Sequence, residues 1–69
     1  MYYVRGEYAD YLSGVLDFSD EFTKYDEALK YAEKIYNAYS KYSDDPMNYV
    51  WYQIVKGDII KEKDSNEKV

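Results

Sequence analysis

Between Lys24 and Lys41 the apolar residues recur at three- and four-residue steps, and on both sides of that stretch the period drops to two. No other feature constrains the fold as tightly. Ala28, Leu29, Ala32, Ile35, Tyr36 and Tyr39 line one stripe, while Glu27, Lys30, Lys34, Asn37 and Lys41 occupy the opposite side. That spacing predicts one amphipathic helix. Thr23 is placed to cap it by accepting a free N–H of the first turn. Asp26 and Glu27 in that turn complement the positive end of the helix dipole. Ser43-Asp44-Asp45-Pro46 stops the helix, because proline lacks an N–H and pushes its predecessor out of the helical region.

Upstream, residues 2–8 alternate, with Tyr2, Val4 and Tyr8 on one side and Arg5 and Glu7 on the other. A tight turn is expected at Ala9-Asp10. A second strand is expected over 11–18, with Leu12, Leu16 and Phe18 sharing a side and Gly14 marking a bulge or a close approach of the helix. Ser19-Asp20-Glu21 then breaks the pattern. Downstream, 48–55 (Asn-Tyr-Val-Trp-Tyr-Gln-Ile-Val) is rich in β-branched and aromatic types and predicts the strongest strand. Gly57 supplies a positive φ for a hairpin turn into a short return strand at 59–61. The expected fold class is therefore α+β, in the order ββαββ, with one amphipathic helix packed on a small antiparallel sheet. Residues 1–61 form the domain, and the charged stretch 62–69 is expected to be a disordered tail.

A chain of 69 residues holds one small core, and cores of this size usually need a staple. There is no Cys and no His, which excludes disulfides, zinc sites of the His/Cys type, and Ser-His or Cys-His nucleophilic pairs. Eleven Tyr, two Phe and one Trp must compensate, and fourteen rings cannot all be interior here. One face of the sheet is left without a helix. Tyr3 and Tyr11 belong on it, with either Tyr49 and Trp51 or Tyr52. An exposed aromatic sheet face meets a partner, and a homodimer is the simplest one.

Charge is uneven along the chain. Residues 7–27 hold seven carboxylates, Glu7, Asp10, Asp17, Asp20, Glu21, Asp26 and Glu27, against the single cation Lys24, so that window alone outweighs the net charge of −5. A surface of that kind favours basic partners. Direct nucleic-acid binding is disfavoured, since nine Lys and Arg face fourteen Asp and Glu. Paired acids at Asp20/Glu21, Asp26/Glu27 and Asp44/Asp45 sit at turns and a helix start, where carboxylates cap and solubilise, so no catalytic role and no enzyme is expected. Neither Asp44-Asp45 nor Asp17…Asp20-Glu21 has the spacing of a calcium loop, and no phosphate-binding glycine motif occurs, so no metal or other cofactor is expected. No apolar run approaches a membrane span and Met1-Tyr2-Tyr3-Val4-Arg5 lacks a secretory signal, which together with the absent cysteine favours the cytoplasm.

The opening Met1-Tyr2-Tyr3-Val4-Arg5-Gly6-Glu7-Tyr8, the helix start Phe22-Thr23-Lys24-Tyr25-Asp26-Glu27-Ala28-Leu29 and the hairpin Tyr52-Gln53-Ile54-Val55-Lys56-Gly57 resemble the small, cysteine-free, tyrosine-rich acidic proteins of bacteriophage early regions. That resemblance implies host takeover by binding. Several proteins of the group mimic DNA and inhibit the nucleoid protein HU, restriction enzymes or CRISPR nucleases. The expectation is a dimeric inhibitor whose seven early acids stand in for phosphates on a basic host DNA-binding protein in the bacterial cytoplasm. The alternative is a module that docks through Tyr3, Tyr11, Tyr49 and Trp51 on host RNA polymerase or a protease adaptor.

Overall fold

The computed structural model describes residues 1–10, 14–40 and 49–65, with Asp10 described by its backbone. Strands β1 (Tyr2–Asp10) and β2 (Gly14–Phe22) precede helix α1 (Tyr25–Ser40), and β3 (Tyr49–Lys56) and β4 (Asp58–Asp64) follow it. The expected ββαββ fold is present, as one helix on a four-stranded antiparallel sheet of order β2-β1-β3-β4. The two hairpins meet through β1 and β3, so the central strands come from opposite ends of the chain.

Alternation decides what the helix covers. Tyr2, Val4, Gly6 and Tyr8 of β1 lie on its side, beside Ile54, Tyr52 and Val50 of β3. Val4, Ala28, Ala32, Tyr52 and Ile54 make the core, all fully buried. Two alanines four residues apart let the helix backbone approach the central strands closely, and rings close the sides. Tyr8 stacks on Tyr39 with centroids 4.1 Å apart, Tyr2 meets Tyr25 edge-on at 5.7 Å, and Tyr36 meets Tyr52 at 6.0 Å. Such pairs add about 0.5–1.5 kcal/mol each beyond their area. The aromatic compensation inferred from composition is thus built mainly around the helix.

Gly6 is where a side chain cannot go. A Cβ there would collide with the Trp51 carbonyl and stand 2.5 Å from Phe18 Cζ, because the Phe18 ring lies across this glycine from the paired position on β2. Gly57 takes φ +80° in the β3–β4 turn, as its sequence position implied.

Several boundaries differ from the sequence expectation. Strand β1 continues through Asp10, past the turn expected at Ala9-Asp10, and the connection at 11–13 lies outside the described residues. Strand β2 begins at Gly14 and runs straight through Ser19-Asp20-Glu21 to Phe22. It is an edge strand, so its polar residues need no burial, and nine consecutive partners on β1 hold it. Gly14 has φ +74° with open space where a Cβ would be, which makes it a turn residue at the strand's start, with no bulge or helix contact there. The carbonyl of Lys24 accepts the Ala28 N–H at 3.2 Å, so the helix boundary falls at Lys24, one residue beyond Thr23. Strand β4 extends to Asp64, and Ser65 closes it with two hydrogen bonds to the Val50 backbone, each 2.9 Å. The domain therefore does not end at 61. Lys63 explains the difference, since its ammonium lies 3.2 Å from Glu33 of the helix and 4.5 Å from the Tyr36 ring centre. The helix stop at 43–46, Leu12 and residues 66–69 lie outside the described residues.

Candidate functional site

The uncovered face of the sheet is the candidate site, and its layout follows from the strand register. Directly paired residues of an antiparallel sheet point to the same side. The partners of Glu7 are Asp17 on β2 and Trp51 on β3, and Trp51 in turn pairs with Asp64 on β4. Asp17, Glu7, Trp51 and Asp64 consequently form one row across all four strands, about 14 Å long at ordinary strand spacing. The next row is Ser19, Arg5, Gln53 and Glu62, and the one beyond it Glu21, Tyr3, Val55 and Ile59. Val15, Ala9 and Tyr49 complete the face on the other flank.

Hydrogen bonds fix the middle of this lattice. The Trp51 indole N–H donates to Glu7 Oε1 at 3.1 Å, which holds the ring in one orientation and uses one carboxylate oxygen. Arg5 Nε donates to Gln53 Oε1 at 2.8 Å, and the amide of Gln53 passes on to Glu62 Oε2 at 3.3 Å. Arg5 is the face's one cationic side chain among the described residues, and it is engaged. Against it stand five carboxylates, Glu7, Asp17, Glu21, Glu62 and Asp64. All six described lysines lie elsewhere. Lys24, Lys30 and Lys34 are on or beside the helix, and Lys56, Lys61 and Lys63 share strand positions with the helix-facing residues.

The seven early acids do not share a single surface. Glu7, Asp17 and Glu21 come together on the open face. Asp20 pairs with Val4 and so lies on the helix side, near enough to Tyr31 that its charge adds to burial in raising that phenol's pKa. Asp26 and Glu27 are exposed in the first helical turn, where they serve the dipole. The side chain of Asp10 lies outside the description. Of the aromatic candidates, Tyr3, Tyr49 and Trp51 are on the open face, Tyr11 is outside the described residues, and Tyr52 is in the core. Glu62 and Asp64 were missed because they belonged to the expected tail. Their signal was legible all the same, since Lys61, Glu62, Lys63 and Asp64 alternate in sign with the two-residue period of a strand.

The face also carries apolar area, with Val15 58%, Ile59 46% and Tyr3 39% exposed. The groove between β3 and β4, lined by Trp51, Gln53, Glu62 and Asp64 with Tyr52 and Lys63, holds about 230 Å³. That is below the usual 300–1,000 Å³ of a small-molecule site. No cluster of three or more carboxylates able to hold a metal occurs among the described residues. No helix there is long and apolar enough to cross a membrane. Comparison with protein-family models, curated proteins and solved structures finds no match.

Proposed function

We propose that this protein is a non-enzymatic inhibitor that occupies the DNA-binding surface of a basic host protein with the open face of its sheet. The observation that supports this is the separation of charge: five carboxylates and one engaged arginine on one side of the sheet, and every described lysine on the other or on the helix. The row of Asp17, Glu7 and Asp64 places three carboxylates over about 14 Å, or about one per 5 Å. A single DNA strand carries about one charge per 3.4 Å, so the row is a sparser line of charge than a phosphate strand, and Glu21 and Glu62 add to it from the neighbouring rows. Trp51 and Tyr3 add ring area beside the carboxylates, a combination suited to a cationic cleft with apolar walls.

Binding to purified nucleoid protein HU, measured by calorimetry at low and high salt with DNA as competitor, tests this reading. The affinity is expected to fall steeply with salt and to drop at least about tenfold when Glu7, Asp17 and Glu21 become Gln, Asn and Gln. An unchanged affinity in that variant refutes the electrostatic basis. The exposure of Val15, Ile59 and Tyr3 on the same face supports a second reading, docking on host RNA polymerase or a protease adaptor through aromatic and aliphatic contact. Such binding tolerates salt and fails on Trp51→Ala.

A further inference from the structure

The two edges of the sheet are not equally protected. Edge strands are normally blunted by lysine, proline, a bulge or short length, because their free N–H and C=O groups otherwise recruit another strand. Strand β4 has two of these devices, a register shift opposite Ile54/Val55 and the lysines Lys61 and Lys63. Strand β2 has no lysine, proline or bulge: its nine residues, Gly-Val-Leu-Asp-Phe-Ser-Asp-Glu-Phe, pair with β1 without a shift, and its one protection is the negative charge of Asp17, Asp20 and Glu21, which repels an acidic strand and admits a basic one.

Which groups point outward follows from the ladder. Val50 bonds through both its N–H and its C=O to Ser65, so the even residues of β3 face β4 and the odd ones face β1. The same alternation then turns the even residues of β2 toward β1, and Val15, Asp17, Ser19 and Glu21 outward. The Glu21 N–H agrees, since it donates to its neighbour Asp20 Oδ1 at 2.8 Å instead of to β1. That contact closes the Phe22 end of the edge. Val15, Asp17 and Ser19 are left with outward backbone groups that no described residue pairs.

We infer that the edge of β2 accepts an extended cationic segment of a partner protein by strand addition. Side-chain charge chooses the occupant. Asp17 and Glu21 project on the open face and Asp20 on the helix side, so β2 presents carboxylates on both faces and carries no cation. A second copy pairing here would bring three carboxylates against three, which like-charge neighbours across strands disfavour. A strand bearing Lys or Arg on alternate residues would meet opposite charge and gain main-chain hydrogen bonds as well. This deepens the proposed function and rests on it, by giving the basic partner a mode of attachment.

The probe is a short synthetic peptide alternating lysine with valine and threonine. Its control is the same peptide N-methylated on every backbone amide, which retains the side-chain charge and has no main-chain N–H on either edge to donate to β2. The unmethylated peptide is expected to slow amide exchange at Val15, Asp17 and Ser19 about tenfold or more, and to bind about tenfold or more tighter than the methylated one. Ser19→Pro removes one outward N–H, a change an edge strand tolerates, and is expected to abolish the difference between the two peptides while the fold's circular dichroism persists. Equal binding of both peptides, or unprotected amides at those three positions, overturns strand addition. Salt-sensitive but equal binding refutes only the strand geometry, whereas the Glu7, Asp17 and Glu21 variant measured against HU refutes the anionic-face reading.

Discussion

Tyr52→Phe should make this protein more stable. The ring is fully buried between sheet and helix, and its hydroxyl meets no partner of hydrogen-bonding geometry among the described residues. Glu33 lies close enough to affect it, but burial is the larger cause that pushes the phenol pKa up to about 12. We attribute the charge effect to proximity and not to a made hydrogen bond, since the contact fails on geometry. An unsatisfied buried hydroxyl costs about 1–3 kcal/mol, and phenylalanine retains the ring and its edge contact with Tyr36. Allowing for some reorganisation, the variant should gain about 1 kcal/mol at neutral pH, or about 4–8 °C in Tm for a domain this small. The alkaline limb gives a second readout. In the unfolded chain the phenol ionises near 10.0 and in the folded one only near 12, so the unfolded state loses its proton first. Stability is intact below pH 10 and declines as the pH rises toward 12, by at most about 3 kcal/mol. Tyr52→Phe should flatten that decline, leaving the smaller share due to Tyr31, whose pKa is raised by burial and then by Asp20. Urea unfolding followed by Trp51 fluorescence across this pH range measures both effects. A loss of about 1 kcal/mol or more at neutral pH would refute the reasoning, because it would mean that the hydroxyl donates a hydrogen bond worth that much.

Gly6→Ala should cost about 2–3 kcal/mol, since the new methyl meets a backbone carbonyl that cannot rotate away and the Phe18 ring; urea midpoints within about 0.5 kcal/mol of wild type would refute it. Lys63→Met should cost about 0.5–1 kcal/mol through loss of the part-exposed bridge to Glu33 and the contact with Tyr36, and should speed amide exchange in β4 before it affects β1. Uniform acceleration across the sheet would show that Lys63 does not anchor β4 separately.

The legible part of this protein was whatever depends on near neighbours. Period three-to-four against period two marked the helix and the strands, and alternation within β1 put Tyr2, Val4 and Tyr8 on the core side and Arg5 and Glu7 on the other. Gly57 was legible because a positive φ is a property of the residue and its turn. Boundaries suffered where polarity was taken as an end signal. Ser19-Asp20-Glu21 and Glu62-Lys63-Asp64 are polar because they lie in edge strands, and edge position is a fact about the sheet and not about the segment.

Local sequence therefore determined the elements, their order and the alternation within β1 and β3, since those follow from backbone geometry over a few residues, but not which side of β3 meets the helix or how β4 alternates across its register shift. Strand order and register needed the tertiary structure, because pairing β1 with β3 joins residues 40 to 52 positions apart and is decided by how helix and sheet bury their apolar sides together. That pairing alone set Asp17, Glu7, Trp51 and Asp64 in one row and turned Asp20 away from it. Acids that neighbour one another along the chain were separated by the pleat, and acids as distant in sequence as Glu7 and Asp64 were brought into one row by the register.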